Sequence, residues 1–157
     1  MDSHKLAELV GIILGDGTIN IYERHKRIQI TMHSIDDLNY SNYVMSLFIE
    51  LFNENPKLKF RKKELALDIQ IFKRHIIYFF LGLGMKKSPK LERAIIPEEF
   101  LAEDLKYDLL RGIFDTDGSV VSTDNNGYLY PRLEIKICES PMKYQIISLL
   151  DGLGFRF

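Results

Sequence analysis

A single cysteine, Cys138, is all the thiol the 157-residue chain has. It excludes an intramolecular disulfide framework and suits a reducing compartment. No apolar run is long enough to span a bilayer, and Asp2 and His4 stand where a secretory leader would carry its basic residues. An intracellular, non-secreted protein is therefore expected. The four histidines (His4, His25, His33 and His75) lack zinc spacing with one another or with Cys138, and no glycine-rich phosphate loop is present. Asp115-Thr116-Asp117-Gly118 opens like a calcium loop, but the glycine is misplaced and no glutamate closes the loop at its twelfth position.

Net charge is scarce as well. The formal value is −1, which by itself does not advertise a nucleic-acid binder. Its distribution says more. Lys57, Lys59, Arg61, Lys62, Lys63, Lys73 and Arg74 crowd one stretch against only Glu64 and Asp68, while residues 1–53 hold seven acids and four bases. Hydrophobic content of 46% and charged content of 27% are those of an ordinary globular protein able to bury a core.

What is abundant is internal repetition. Leu9-Val10-Gly11-Ile12-Ile13-Leu14-Gly15-Asp16-Gly17 is echoed by Leu110-Arg111-Gly112-Ile113-Phe114-Asp115-Thr116-Asp117-Gly118. Each copy reads as an apolar helix with a small residue in mid-turn, ending in an acid and a glycine. After the first, Thr18–Glu23 and Arg27–His33 alternate as strands around a turn at Arg24-His25-Lys26. Ser34 and Asp37 look like a capping box for a helix from about Ile35 to Phe52 with a core stripe of Val44, Leu47, Phe48 and Leu51. A basic strand from Lys57 to Lys63, a returning strand with Leu65, Leu67, Ile69 and Ile71 on one face, and a helix over 73–83 follow.

Lys86 to Pro97 is a Lys/Pro-rich connector. After the second motif, a strand over Ser119–Thr123, a turn at Asp124-Asn125-Asn126-Gly127, a strand from about Tyr130 to Cys138 and a helix from Ser140-Pro141 to about Leu150 are predicted. The expected division is 1–85 as first repeat, 86–104 as connector and 105–157 as second repeat. The second repeat supplies only helix, two strands and helix, a shortfall of roughly 30 to 40 residues against the first. Phe155-Arg156-Phe157 reads as the start of its third strand. The fold class is α+β, a pseudo-two-fold duplicated αββαββα architecture with a second repeat incomplete at its C-terminal side.

Gly11 and Gly15 lie four apart on one helix face, as do Gly112 and Thr116 in the second motif. Small residues at that spacing let two helix backbones touch. A mid-helix glycine costs about 1 kcal/mol against alanine, so a packing reason is expected. Asp16 and Asp117 end their helices where the macrodipole is already negative. Brought to about 5 Å of each other at an effective dielectric of about 20, they would repel by on the order of 3 kcal/mol. A divalent cation removes both penalties, and Mg²⁺ in particular takes a few carboxylates and leaves sites for water and phosphate oxygens.

The two motifs, with the αββα order between them, resemble the signature helices of the LAGLIDADG (dodecapeptide) homing endonucleases of the two-motif, monomeric type. The resemblance covers nearly the whole chain. It implies a site-specific double-strand DNA endonuclease, a hydrolase of phosphodiester bonds, in which Asp16 and Asp117 each hold catalytic Mg²⁺ or Mn²⁺. It further implies that Gly11, Gly15, Gly112 and Thr116 form the helix interface, and that the sheets lie along double-stranded DNA. The DNA-binding candidates are then Asn20, Tyr22, Arg24, Lys26, Arg27, Gln29, Thr31, Lys57, Lys59, Arg61, Lys63 and Gln70 in the first repeat, with Arg132 and Lys136 in the second. Lysines and arginines would contact phosphates or guanine edges, and amides would read adenine.

The sequence departs from the family pattern at several positions. Leu14 replaces the earlier acid of the first motif, whereas Asp115 keeps it in the second. Near the end of the second strand, where the family often carries Gln or Asn, stand Thr31-Met32-His33 and Lys136-Ile137-Cys138. His33 is the candidate substitute in the first repeat, and Lys73 is the candidate basic residue near the metal. Without an intein's initial nucleophile or terminal Asn, a free-standing, intron-encoded protein is the expectation. The alternatives are a catalytically inactive DNA- or RNA-binding protein of the same fold, such as a maturase or transcriptional regulator, or a truncated endonuclease fragment. A monomer is expected of a two-motif chain, with a dimer or edge pairing as the alternative that the short second repeat introduces.

Overall fold

The computed structural model describes residues 1–156. Helix α1 (Ser3–Gly15) starts where the Asp2 carboxylate accepts hydrogen bonds from the amides of His4 (3.0 Å) and Lys5 (3.2 Å), satisfying two donors that a helix start leaves free. Strands β1 (Gly17–Ile21) and β2 (Lys26–His33), helix α2 (Leu38–Phe52), strands β3 (Lys57–Phe60) and β4 (Ala66–Ile71), and helix α3 (Arg74–Gly82) complete the first unit. Its antiparallel sheet has the order β1-β2-β4-β3.

The register carries the alternation of the sequence straight across the sheet. Ile19, Ile28 and Ile71 lie in one row, and Ile30, Ile69 and Leu58 in another. These apolar rows face α2 and α3, which present Val44, Leu47 and Phe48 and then Ile76, Ile77 and Phe80 to the same core. Phe52 links the two helices, with ring centroids 5.4 Å from Phe79 and 5.7 Å from Phe80. Each such buried aliphatic or aromatic chain contributes about 1.5–3 kcal/mol.

The second unit contains helix α4 (Lys106–Asp117), strands β5 (Gly118–Asn125) and β6 (Tyr128–Ile135), and helix α5 (Pro141–Gly152). Its hairpin turns through Asn126 (φ 55°) and Gly127 (φ 84°), the left-handed pair that matches the twist of the flanking strands. Asp124 Oδ1 accepts from the Gly127 amide at 2.9 Å. Among the described residues this sheet is two-stranded. The molecule is thus a mixed α+β protein with antiparallel sheets and a repeated helix-hairpin-helix order.

The connector is a packed strap. Ala94, Ile96 and Phe100 are buried in the common core, the last within a short 3₁₀ turn (Glu98–Leu101). The Ser88 amide donates to Ile19 O (2.8 Å), the Met142 amide to Ala94 O (2.9 Å), and the Gln145 amide group bonds both the N–H and C=O of Ile96 (2.9 and 3.0 Å).

Several local expectations shift. Helix α2 begins at Leu38 rather than Ile35, because residues 34–37 form turns and the Asp37 carboxylate accepts from the His33 amide (2.9 Å) instead of closing a capping box on Ser34. Ile35 and Leu65 are 65% and 63% exposed, so neither joins the core. Strand β3 stops at Phe60 and Lys63 falls in the turn to β4. At the other end, Gly154 (φ 82°) and the bond from the Phe155 amide to Leu150 O (3.0 Å) terminate α5. Phe155 and Arg156 form no strand, and Phe157 of that expected strand lies outside the described residues.

Candidate active site and nucleic-acid interface

The site is built on the crossing of α1 and α4. A Cβ on Gly11 would run into Leu109 O and lie 3.0 Å from Ile113 N, and a Cβ on Gly112 would run into Glu8 O and lie 2.9 Å from Ile12 N. The two backbones touch, so no side chain fits at either position. Farther along, Thr116 faces Gly15 where any Cβ would overlap it, and the Thr116 hydroxyl donates back to Gly112 O and Ile113 O (3.0 Å each). The seam is flanked by a polar clamp that the sequence reading missed. Glu8, 1% exposed, accepts from Arg111 Nε (3.1 Å), from Arg111 Nη2 and from the Tyr43 hydroxyl (2.7 Å).

This crossing carries Asp16, which caps α1, and Asp117, the last residue of α4, to the same place. The Asp117 Oδ2 lies 3.3 Å from where a Gly15 Cβ would sit, so its carboxylate reaches across the seam to the end of the other helix. Partial burial and then the Asp117 charge push the Asp16 carboxyl up to about 6, and burial raises Asp117 as well. Both groups are therefore held against their own charge. A cation lies near them: Lys90 Nζ donates to Ile13 O (3.1 Å), Leu14 O and Gly15 O (2.5 Å), the orphan carbonyls at the end of α1. Burial lowers the Lys90 ammonium to about 8, while Asp117 and Asp16 resist that fall.

Lys73, the basic residue expected here, instead precedes α3 and pairs with Glu54 at 3.1 Å. The residue beside the carboxylates is Lys90. Seventy-five positions separate it from Gly15, and no pattern in the connector signals the contact. His33 ends β2 with its Nδ1 3.2 Å from the Asp36 amide and 3.0 Å from the Asp36 carboxylate.

The sheet face opposite the core is polar and regular. Thr18, Gln29, Gln70 and Lys57 stand side by side across all four strands, with Thr31, Asp68 and Lys59 in a second row and Asn20 opposite Arg27. Gln70 donates to Gln29 (3.1 Å) and Asn20 to Thr18 (3.1 Å), which fixes the direction of these amides. Tyr22 and Arg24 are exposed in the first hairpin, while Lys26 donates to the Tyr78 hydroxyl (2.7 Å). Lys57 lies over the Phe72 ring (5.5 Å). In the second unit, Arg132 and Lys136 are exposed on β6 and just beyond it.

Arg61 differs from its neighbours, because it is engaged within the sheet. It donates to both Asp68 oxygens (2.8 and 3.1 Å), to Glu64 (2.8 Å) and to Thr31 (3.3 Å). Burial alone would raise the Asp68 carboxyl, but the bonds from Arg61 and Thr31 hold it below the usual range. The stability this gives is present above pH 3.8 and is lost as pH falls through the depressed folded value. Arg61→Ala is expected to lower the thermal midpoint at neutral pH and to make its acid-side decline shallower, as calorimetry at several pH values would show.

Two repeated helix-hairpin-helix units, joined by helices that touch at glycine and each end in an aspartate, define the two-motif homing-endonuclease architecture. Residues 7–148 match the model of the LAGLIDADG DNA endonuclease family, and the chain belongs to that family.

Among curated proteins it is 22% identical over 156 residues to an uncharacterized protein of Methanocaldococcus jannaschii, covering 99% of this chain and 56% of that protein. It is also 24% identical over 161 residues to the tRNA-splicing ligase RtcB of Pyrococcus abyssi, covering 95% of this chain and 17% of that protein. The chain thus spans about half the length of the first relative and under a fifth of the second. Among solved structures, I-DmoI in complex with DNA and Mn shares the fold with TM-score 0.61 at 16% identity, covering 98% of this chain and 80% of that one. The I-LtrWI homing endonuclease bound to target DNA has TM-score 0.64 at 12% identity, with 98% and 74% coverage.

Proposed function

We propose that this chain is a site-specific double-strand DNA endonuclease that uses divalent metal, with Asp16 and Asp117 as metal ligands. The observation that carries the reading is the pair of charge-disfavoured carboxylates held together at the glycine crossing. An arrangement that opposes ionisation of its own acids serves a cation better than it serves the fold. Two carboxylates suit Mg²⁺ or Mn²⁺, which fill their remaining sites with water and phosphate oxygens. Such an ion, when bound, polarises the scissile phosphate and lowers the pKa of a water.

The chain's own residues have separable roles. Asp16 and Asp117 would hold the cation from opposite units, one for each DNA strand. Lys90, fixed by three carbonyls, would place positive charge where the phosphate acquires negative charge, as a positioning and electrostatic group. Thr18, Gln29 and Lys57 would read base edges, with the buried Gln70 orienting the Gln29 amide through its hydrogen bond and the exposed lysines on the backbone. Arg61 would brace Asp68 and not contact phosphate.

The test is incubation of supercoiled plasmids carrying a library of candidate sites with Mg²⁺ or Mn²⁺. Linear product at a defined sequence is expected. Retained DNA binding with no nick in any member would replace the reading with that of a binder on this fold. Lys90→Met is expected to slow cleavage by about 10²–10³-fold while leaving the gel shift in place; an unchanged rate would remove Lys90 from the site.

A further inference from the structure

We propose that Asp68, locked by Arg61, is a positioning residue for target choice: it turns the Gln29 amide so that this side chain can only accept a hydrogen bond from DNA. The inference rests on the proposed reading of this sheet face as the base-reading surface, and it states what one position of that surface reads.

Asp68 stands on the polar face but is only 4% exposed, so its partners are protein groups. Its Oδ1 accepts from Arg61 Nη2 (2.8 Å), Thr31 Oγ1 (2.8 Å) and Gln29 Nε2 (3.2 Å), and its Oδ2 from Arg61 Nε (3.1 Å). Burial opposes the charge, but the bonds from Arg61 and Thr31 outweigh it and keep the carboxyl ionised. An ionised carboxylate only accepts. A reversed Gln29 amide would set its carbonyl against Asp68 Oδ1, two acceptors with no proton between them. Gln70 closes the other end, its Nε2 donating to Gln29 Oε1 (3.1 Å).

The donors and acceptors left on Gln29 follow. Its nitrogen donates to Asp68 and to Thr31 (3.3 Å), which uses both amide hydrogens. Its oxygen has two lone pairs and accepts once. The one free position is an acceptor. The paired contact of Gln with adenine, donating to N7 while accepting from N6, is therefore closed to it. What remains is a single amine in the major groove, adenine N6 or cytosine N4. Arg61 does not compete for the base. Its bonds to Asp68, Thr31 (3.3 Å) and Glu64 (2.8 Å) occupy four of its five N–H groups.

Selection of bound duplexes from a randomised library by gel shift tests this without cleavage. Gln29→Ala should erase the preference at one base pair, which locates the contact. At that pair the amine is then removed, with unsubstituted purine for adenine or 2-pyrimidinone for cytosine. The wild-type chain should lose roughly tenfold in affinity relative to Gln29→Ala on the same duplexes. Replacing N7 of the purine by carbon should cost it nothing. In Asp68→Asn, whose side chain can donate and so lets the Gln29 amide turn, removal of the amine should no longer matter.

An N7 replacement as costly as loss of the amine would overturn the proposal on the unaltered chain, however Asp68→Asn folds. So would a Gln29→Ala profile identical to wild type, or an amine dependence that survives Asp68→Asn. A wild-type chain that enriches no sequence would overturn the endonuclease reading, and this inference with it.

Discussion

Asp16→Asn is expected to abolish double-strand cleavage, with a rate loss of about 10³-fold, and at the same time to stabilise the metal-free protein at neutral pH. The second half of that result follows from the direction of the shift. The folded-state carboxyl is raised from 3.8 to about 6, so the folded chain holds the proton more tightly than the unfolded chain does. The associated stability is complete below about pH 3.8 and is lost as pH rises through about 6. Asp16 is solvent-exposed, and after screening the cost at neutral pH is at most about 1 kcal/mol. Asn in its place removes that cost and flattens the pH slope. Asp117→Asn shifts stability in the same direction. A pair of aspartates that served only the fold would show the reverse: lower stability on substitution and no change in cleavage. Thermal scans from acid to neutral pH, beside the plasmid assay, separate the two.

Gly112→Ala is the second large effect, and its sign opposes the usual rule. In an ordinary helix interior the change gains about 1 kcal/mol. Here the methyl would have to displace Glu8 O and Ile12 N, which are backbone atoms of a packed helix that no rotamer change can move. Overpacking of this kind outweighs the propensity gain. A net loss of about 3 kcal/mol, on the order of 10 °C in midpoint, is expected. Gly82→Ala is the internal control, because a Cβ there meets nothing within 4 Å, and should be neutral or slightly stabilising. Unlike Asp16→Asn, Gly112→Ala should reduce cleavage and stability together, since moving the helices apart also moves the carboxylates. Equal calorimetric midpoints for the two glycine variants would refute the close crossing.

Much of this arrangement was legible in the sequence, and the reasons are local. The strand pattern of Ile28, Ile30 and Met32 has a period of two, and a half-buried sheet preserves it directly. Glycines in mid-helix carry a cost, so Gly11 and Gly112 announced a close approach before any partner was known. The repeat itself supplied the pairing of α1 with α4. What the sequence did not disclose depends on contacts between distant positions. Lys90 lies in a connector without periodicity, and only folding brings it to the end of α1. Glu8 and Arg111 sit in opposite repeats, where either charge alone reads as a solvated helix face. Arg61 belongs to a basic run that suggests phosphate binding, yet its side chain reaches across the hairpin to the buried Asp68. The start of α2 was misplaced because Asp37 bonds the His33 amide, a choice of one backbone donor over another that the capping pattern does not distinguish.

The central claim is that Asp16 and Asp117 share a cation across the helix crossing. The most direct test is substoichiometric Mn²⁺ added to the isotopically labelled protein, read as paramagnetic broadening of backbone amide signals. Broadening centred on Asp16, Gly17, Asp117 and Gly118, and absent from the Asp16→Asn/Asp117→Asn double variant, is the predicted result. Broadening centred elsewhere, or unchanged in the double variant, would contradict the account.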